Sequence, residues 1–91
     1  MTPAADPREH KTILDTSSLE LTIVGVKDLD QAIEVCKELS RCGVNMIELC
    51  AAFGNEGAAK VSEAVGENTP VGAVMFDMSS AERLSATLRK S

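Results

Sequence analysis

Three short apolar runs, each followed by residues at helical spacing, constrain this chain more than any other feature: LELTIVGV at 19–26, VNMIELC at 44–50 and VGAVMF at 71–76. Each is rich in β-branched and aliphatic residues and bounded by turn formers, the pattern of a strand. Between them lie helix signatures. Asp28-Leu29-Asp30-Gln31 has the spacing of a capping box, Leu29, Ala32, Ile33, Cys36 and Leu39 recur on one face, and Gly43 is placed as the stop. Residues 57–65 give a second helix with Ala58, Val61 and Val65 inward, closed by Gly66. Ser79 and Glu82 open a last one, with Ala81, Leu84 and Leu88 inward. Ahead of the first strand, Asp6, Pro7 and Glu9 predict a short helix over 7–15, anchored by Ile13 and Leu14 and ended by the turn Thr16-Ser17-Ser18.

Strands that alternate with helices are βαβ units, which build parallel sheets with right-handed crossovers. The expected fold is a single α/β domain of two or three layers: a helical segment over 1–18, a βαβαβ core over 19–78 and a C-terminal helix over 79–91. A parallel sheet of three strands leaves two open edges. A chain of 91 residues is also near the lower size limit for folding alone. Together these predict a two-fold homodimer.

Composition narrows the function classes. With 14 acidic and 9 basic residues the net charge is −5, and no basic cluster supplies the positive footprint that a phosphate backbone needs. Trp and Tyr are absent and Phe is limited to Phe53 and Phe76, so platforms for base stacking are few. Nucleic acid is therefore not an expected partner. No run approaches the roughly 20 apolar residues of a membrane span, and MTPAADPREH lacks the pattern of a signal peptide. Cys36, Cys42 and Cys50 form no CxxC pair and His10 is the sole histidine. The expectation is reduced thiols in a cytoplasmic protein that holds no metal and needs no cofactor.

In an open parallel sheet, ligands bind beyond the carboxyl ends of the strands. The residues at those ends are Lys27 and Asp28, Glu48 and Cys50, and Asp77. Alternation puts Glu48 on one strand face with Met46 and Cys50, where lost hydration would raise its pKa towards that of a general base. The structural alternative is a Glu paired with Lys27 or bonded to a helix start. Cys50 is a candidate nucleophile, but a core thiol is the commoner use of such a residue. Phe53 and Gly54 begin a loop whose amides can hold an oxyanion at the next helix start. Arg8 and His10 are candidates to fold over the rim as cation and proton donor. Met46, Met75, Met78 and Phe76 are candidates for an apolar slot, and Asp77, at the end of the third strand, either contributes to the rim or simply precedes the N-cap Ser79.

The segments ADPREH, LELTIVGV, MIELC and PVGAV together resemble a family of small α/β proteins of unknown function, over about Ala5 to Phe76. That resemblance implies a further strand ahead of ADPREH, which Met1-Thr2-Pro3 does not supply. Among fungal members, the chain is similar to small cyclases that close α-pyrone rings on polyketide chains. This second resemblance implies a cofactor-independent lactonisation of a β,δ-diketo thioester. Glu48 would be the base, Arg8, His10 or Lys27 and the amides near Gly54 would stabilise developing charge, and the methionines and phenylalanines would receive the tail. Contact with an acidic carrier protein would work against the charge of −5. Glu48 also resembles the catalytic Glu that (β/α)-barrel lyases carry at a strand's carboxyl end. Two rival classes stand beside the cyclase: a non-catalytic small-molecule-binding or assembly module, and a (thio)esterase acting through Cys50.

Overall fold

A computed structural model describes residues 1–90. The elements are β1 (Lys11–Asp15), β2 (Glu20–Val24), α1 (Leu29–Arg41), β3 (Ile47–Leu49), a 3-10 turn (Ala51–Phe53), α2 (Gly54–Val65), β4 (Val71–Ala73) and α3 (Met78–Lys90). Ser91, the last residue of the expected C-terminal helix, lies outside the described residues.

The mixed α/β character and the three later helices agree with the sequence reading, and the N-terminal part corrects it. No helix forms over 7–15. Asp6 does act as a cap, but of a tight turn: its Oδ1 accepts from the Arg8 N–H (2.9 Å) and its own N–H donates to His10 Nδ1 (2.8 Å). The chain then leaves as β1 and pairs antiparallel with β2, Lys11 opposite Val24 and Asp15 opposite Glu20. The connecting turn is tied by Thr16, whose hydroxyl accepts from the Leu19 N–H (2.9 Å) while its own N–H donates to the Leu19 carbonyl (2.7 Å). Thr12 and Ile13 are β-branched, and a partner strand four residues away satisfies the backbone better than one isolated helical turn.

The expected three-stranded parallel sheet is likewise replaced by two separate pairs. Only β3 and β4 run parallel, with Ile47, Glu48 and Leu49 opposite Val71, Gly72 and Ala73. Bonds from Ile47 N–H to the Pro70 carbonyl and from Val74 N–H to the Leu49 carbonyl extend this short ladder at both ends.

The core sits between α1, α2 and one face of that parallel pair. Val61 is fully enclosed, with Cys36, Ile47 and Leu49 buried around it and Leu29, Ile33 and Val65 packed against them. Local chemistry delivers α1 to this place. Asp28 Oδ1 accepts from the Gln31 N–H (2.9 Å), and Gln31 Oε1 in turn accepts from the Lys27 N–H (2.8 Å), one residue earlier than in the usual box. At the other end Gly43, at φ +91°, lets the chain reverse, so that Gly43 N–H reaches Ser40 and Val44 N–H reaches Leu39 in a Schellman motif.

Gly25 joins the N-terminal turn to the end of β2. Its N–H donates to the His10 carbonyl (2.7 Å), and a Cβ there would lie 3.1 Å from His10 Cβ and 3.3 Å from Ala5 Cβ. Both neighbours are fixed to backbone, so Gly25→Ala must push the turn away. The expected loss is about 1–2 kcal/mol, seen as a melting temperature lower by roughly 5–10 °C.

Candidate functional site

The carboxyl ends of β3 and β4 open into a groove of about 290 Å³, lined by Ala51, Gly54, Asn55, Ala73, Val74, Met75, Phe76, Ala81 and Leu84. Its position follows from the topology. Two parallel strands end side by side, the chain leaving β3 turns at once into α2, and the chain leaving β4 crosses to α3. One wall is the first turn of α2, which no side chain caps, although its first N–H, that of Gly54, already donates to the Ala51 carbonyl of the preceding 3-10 turn. The leading N–H groups of a helix have no intrahelical partner and carry its positive dipole end. The opposite wall is the apolar stretch Val74-Met75-Phe76 backed by Leu84. Asn55 is the sole polar side chain of the lining, and no titratable side chain belongs to it.

Of the residues expected here, the groove gathers Gly54, Met75 and Phe76, with Phe53 in the 3-10 turn just ahead of Gly54. Glu48 does not line it. Ile47 and Leu49 point into the core, so Glu48 points the other way and is exposed, as are Met46 and Cys50 on the same side. The burial expected to act on the Glu48 carboxyl is absent because helices cover only one face of the pair. Gly72, directly opposite Glu48, leaves that outer face open. Cys50 is an exposed thiol with the Met1 ammonium 3.6 Å from its Sγ.

The remaining candidates are dispersed. Arg8 pairs loosely with Asp6 (3.8 Å), and His10 accepts the Asp6 N–H as part of the turn. Arg8 belongs instead to a second groove, of about 410 Å³, between the hairpin and α1. Lys27 is exposed and Asp28 is engaged as the α1 cap. Asp77 accepts from the Ser79 hydroxyl (2.6 Å) and the Ser80 N–H (3.2 Å), and these bonds hold its carboxyl below the usual range. The expected single rim does not form, because β2 belongs to the other sheet.

Sequence reasoning missed Asn55, Ala51, Ala73 and Val74 as lining. It had placed Ala81 and Leu84 on an inward helix face without giving that face a pocket to close. Among the described residues no group of three or more His, Cys, Asp or Glu side chains is arranged to hold a metal ion. No helix there is long and apolar enough to cross a membrane.

The fold and groove define a small α/β protein with an apolar cleft at the carboxyl edge of a parallel strand pair. The chain belongs to a family of unknown function (DUF6506), whose model matches residues 1–89. That match carries no activity with it and lends no support to the likeness to pyrone-forming cyclases. No curated protein and no solved structure matches the chain.

Proposed function

We propose that this chain is a small-molecule-binding module whose ligand is a short, largely apolar molecule bearing one carbonyl or carboxylate oxygen. The observation that supports this is the lining of the carboxyl-edge groove. Aliphatic, methionine and phenylalanine side chains form most of it, with Asn55 and the uncapped start of α2 at one end. Such a cleft gives an apolar body a place out of water and gives one oxygen a set of N–H donors. It offers no acid, base or nucleophile to move a proton or form a bond. At about 290 Å³ the groove is at the small end of ligand clefts.

The test is a titration of hexanoate followed by amide and methyl NMR. The expected result is a dissociation constant near the millimolar range, with shifts in Asn55, Glu56, Gly57 and Met75. Leu84→Trp fills the groove and is expected to abolish those shifts while the rest of the spectrum is retained. Absence of shifts at 10 mM hexanoate (about ten times the expected constant), or the same shifts in Leu84→Trp, overturns the assignment.

A second reading retains ring closure on a β,δ-diketo thioester. What favours it is the open outer face of β3, where Glu48 stands between Met46 and Cys50 opposite Gly72. There Glu48 would take the enol proton as the oxygen attacks the thioester carbonyl and the thiolate leaves. Equal pyrone formation by wild type, Glu48→Gln and buffer would remove this reading.

A further inference from the structure

The β1–β2 hairpin is turned inside out for a lone molecule. Its register places Leu14 opposite Leu21 and Thr12 opposite Ile23 on one side, and Ile13 opposite Thr22 and Lys11 opposite Val24 on the other. Thr22 and Val24 are half-buried, and Lys11 and Val24 line the groove against Val35 and Leu39 of α1. The side carrying Leu14, Leu21 and Ile23 therefore faces away from the body. Leu19, just ahead of β2, continues it by alternation. These four side chains are 57, 43, 54 and 59% exposed in the order named. No charged residue lies among them.

The chain as a whole carries surface to spare. It exposes 6977 Å², where a compact monomer of this mass exposes about 5,100 Å². Its radius of gyration is 14.1 Å against about 12 Å for a compact domain of this length. The surplus, about 1,900 Å², exceeds the roughly 800 Å² that each partner contributes to a standard interface. A two-stranded hairpin is also marginal in water without a further layer.

We propose that this outward face is the interface of a homodimer, in which two hairpins stack about a two-fold axis into a four-stranded sandwich with sheets about 10 Å apart. The second copy is the occupant because it brings the same flat, uncharged, aliphatic face. Two chains of charge −5 meet there without placing like charges in contact. An anionic membrane surface would find no cation on this face. The interface is separate from the carboxyl-edge groove, so the proposal stands independently of the ligand reading.

Sedimentation from 1 to 100 µM, a range on the order of the affinities typical of modest interfaces, tests it. Wild type is expected to sediment as a dimer. Leu21→Arg is expected to weaken association at least about 100-fold by burying a charge without a partner. Met78→Arg, at a fully solvated position outside this face, is expected to leave it unchanged. Where circular dichroism shows Leu21→Arg unfolded, Leu21→Thr keeps the strand preference and is expected to weaken association about ten-fold. A monomeric wild type overturns the proposal, whether free or bound to neutral phosphatidylcholine vesicles. So does a dimer that the folded Leu21 variant leaves intact.

Discussion

Val61→Asp is expected to leave the chain unfolded at 25 °C. Val61 has no exposed surface and stands at the centre of the packing between α1, α2 and the parallel pair. Removing the isopropyl group forfeits about 2 kcal/mol of burial. The carboxyl that replaces it meets Cys36, Ile47 and Leu49, none of which supplies a donor suited to a charge. It must either ionise in an apolar site or hold its proton several pH units above its usual range, at about 4–7 kcal/mol. The total, about 6–9 kcal/mol, exceeds the lower part of the roughly 5–14 kcal/mol that stabilises a domain of this length. Far-UV circular dichroism and a one-dimensional proton spectrum would read the collapse. Val61→Ala is the calibrating variant: it stays folded and loses about 1.5–3 kcal/mol, lowering the melting temperature by roughly 10–20 °C.

The second large effect concerns the thiols. Under native conditions iodoacetamide is expected to label Cys42 and Cys50 at least about 100-fold faster than Cys36, read by peptide mass spectrometry. Cys42 and Cys50 are exposed, whereas Cys36 is 5% exposed on the inner face of α1. Reagent reaches it only when the core opens, so its labelling rate follows stability. Burial also raises the Cys36 pKa above the reference value of 9.0. The unfolded thiol then ionises first, and above that pH the folded state holds more protons than the unfolded one. Stability from this group is fully present below pH 9.0 and is lost as pH rises through the folded value. Melting temperatures should fall on an alkaline limb that Cys36→Val removes. Equal labelling of all three thiols would contradict the packing of α1 against Val61.

The helices were legible because their signals are local. Asp28 with Gln31, Gly43 as a left-handed stop, and the spacing of Ala32 and Cys36 all act within a few residues of one another. Pairing partners are not local, and there the sequence misled. Asp6-Pro7 reads the same whether it starts a helix or a tight turn. What decided the outcome was a strand, Glu20–Val24, beyond the next turn. That pairing also removed β2 from the expected parallel sheet, and with it Lys27 and Asp28 from the expected rim. The site was legible in part for a related reason. The rule that strands present groups at their carboxyl ends gathered Gly54, Met75 and Phe76. Alternation along VNMIELC gives two faces and no indication of which one the helices cover. Ile47 and Leu49 are the more apolar set and took the core, which turned Glu48 outward.

The core has one more property, which concerns time rather than place. Its buried aliphatic residues run from Val26 to Val61, and with β4 the whole assembly is one contiguous stretch that ends at Ala73. Before that stretch come the N-terminal turn over residues 1–10, tied to it by the Thr2 N–H on the Val26 carbonyl, and a hairpin closed by its own four-residue turn. The two blocks can therefore open separately, and amide exchange in the isolated chain would proceed through two events of different free energy. Hairpin amides would exchange by a shallow opening that leaves Val61 enclosed. Those of α1 and β3 would wait for global unfolding.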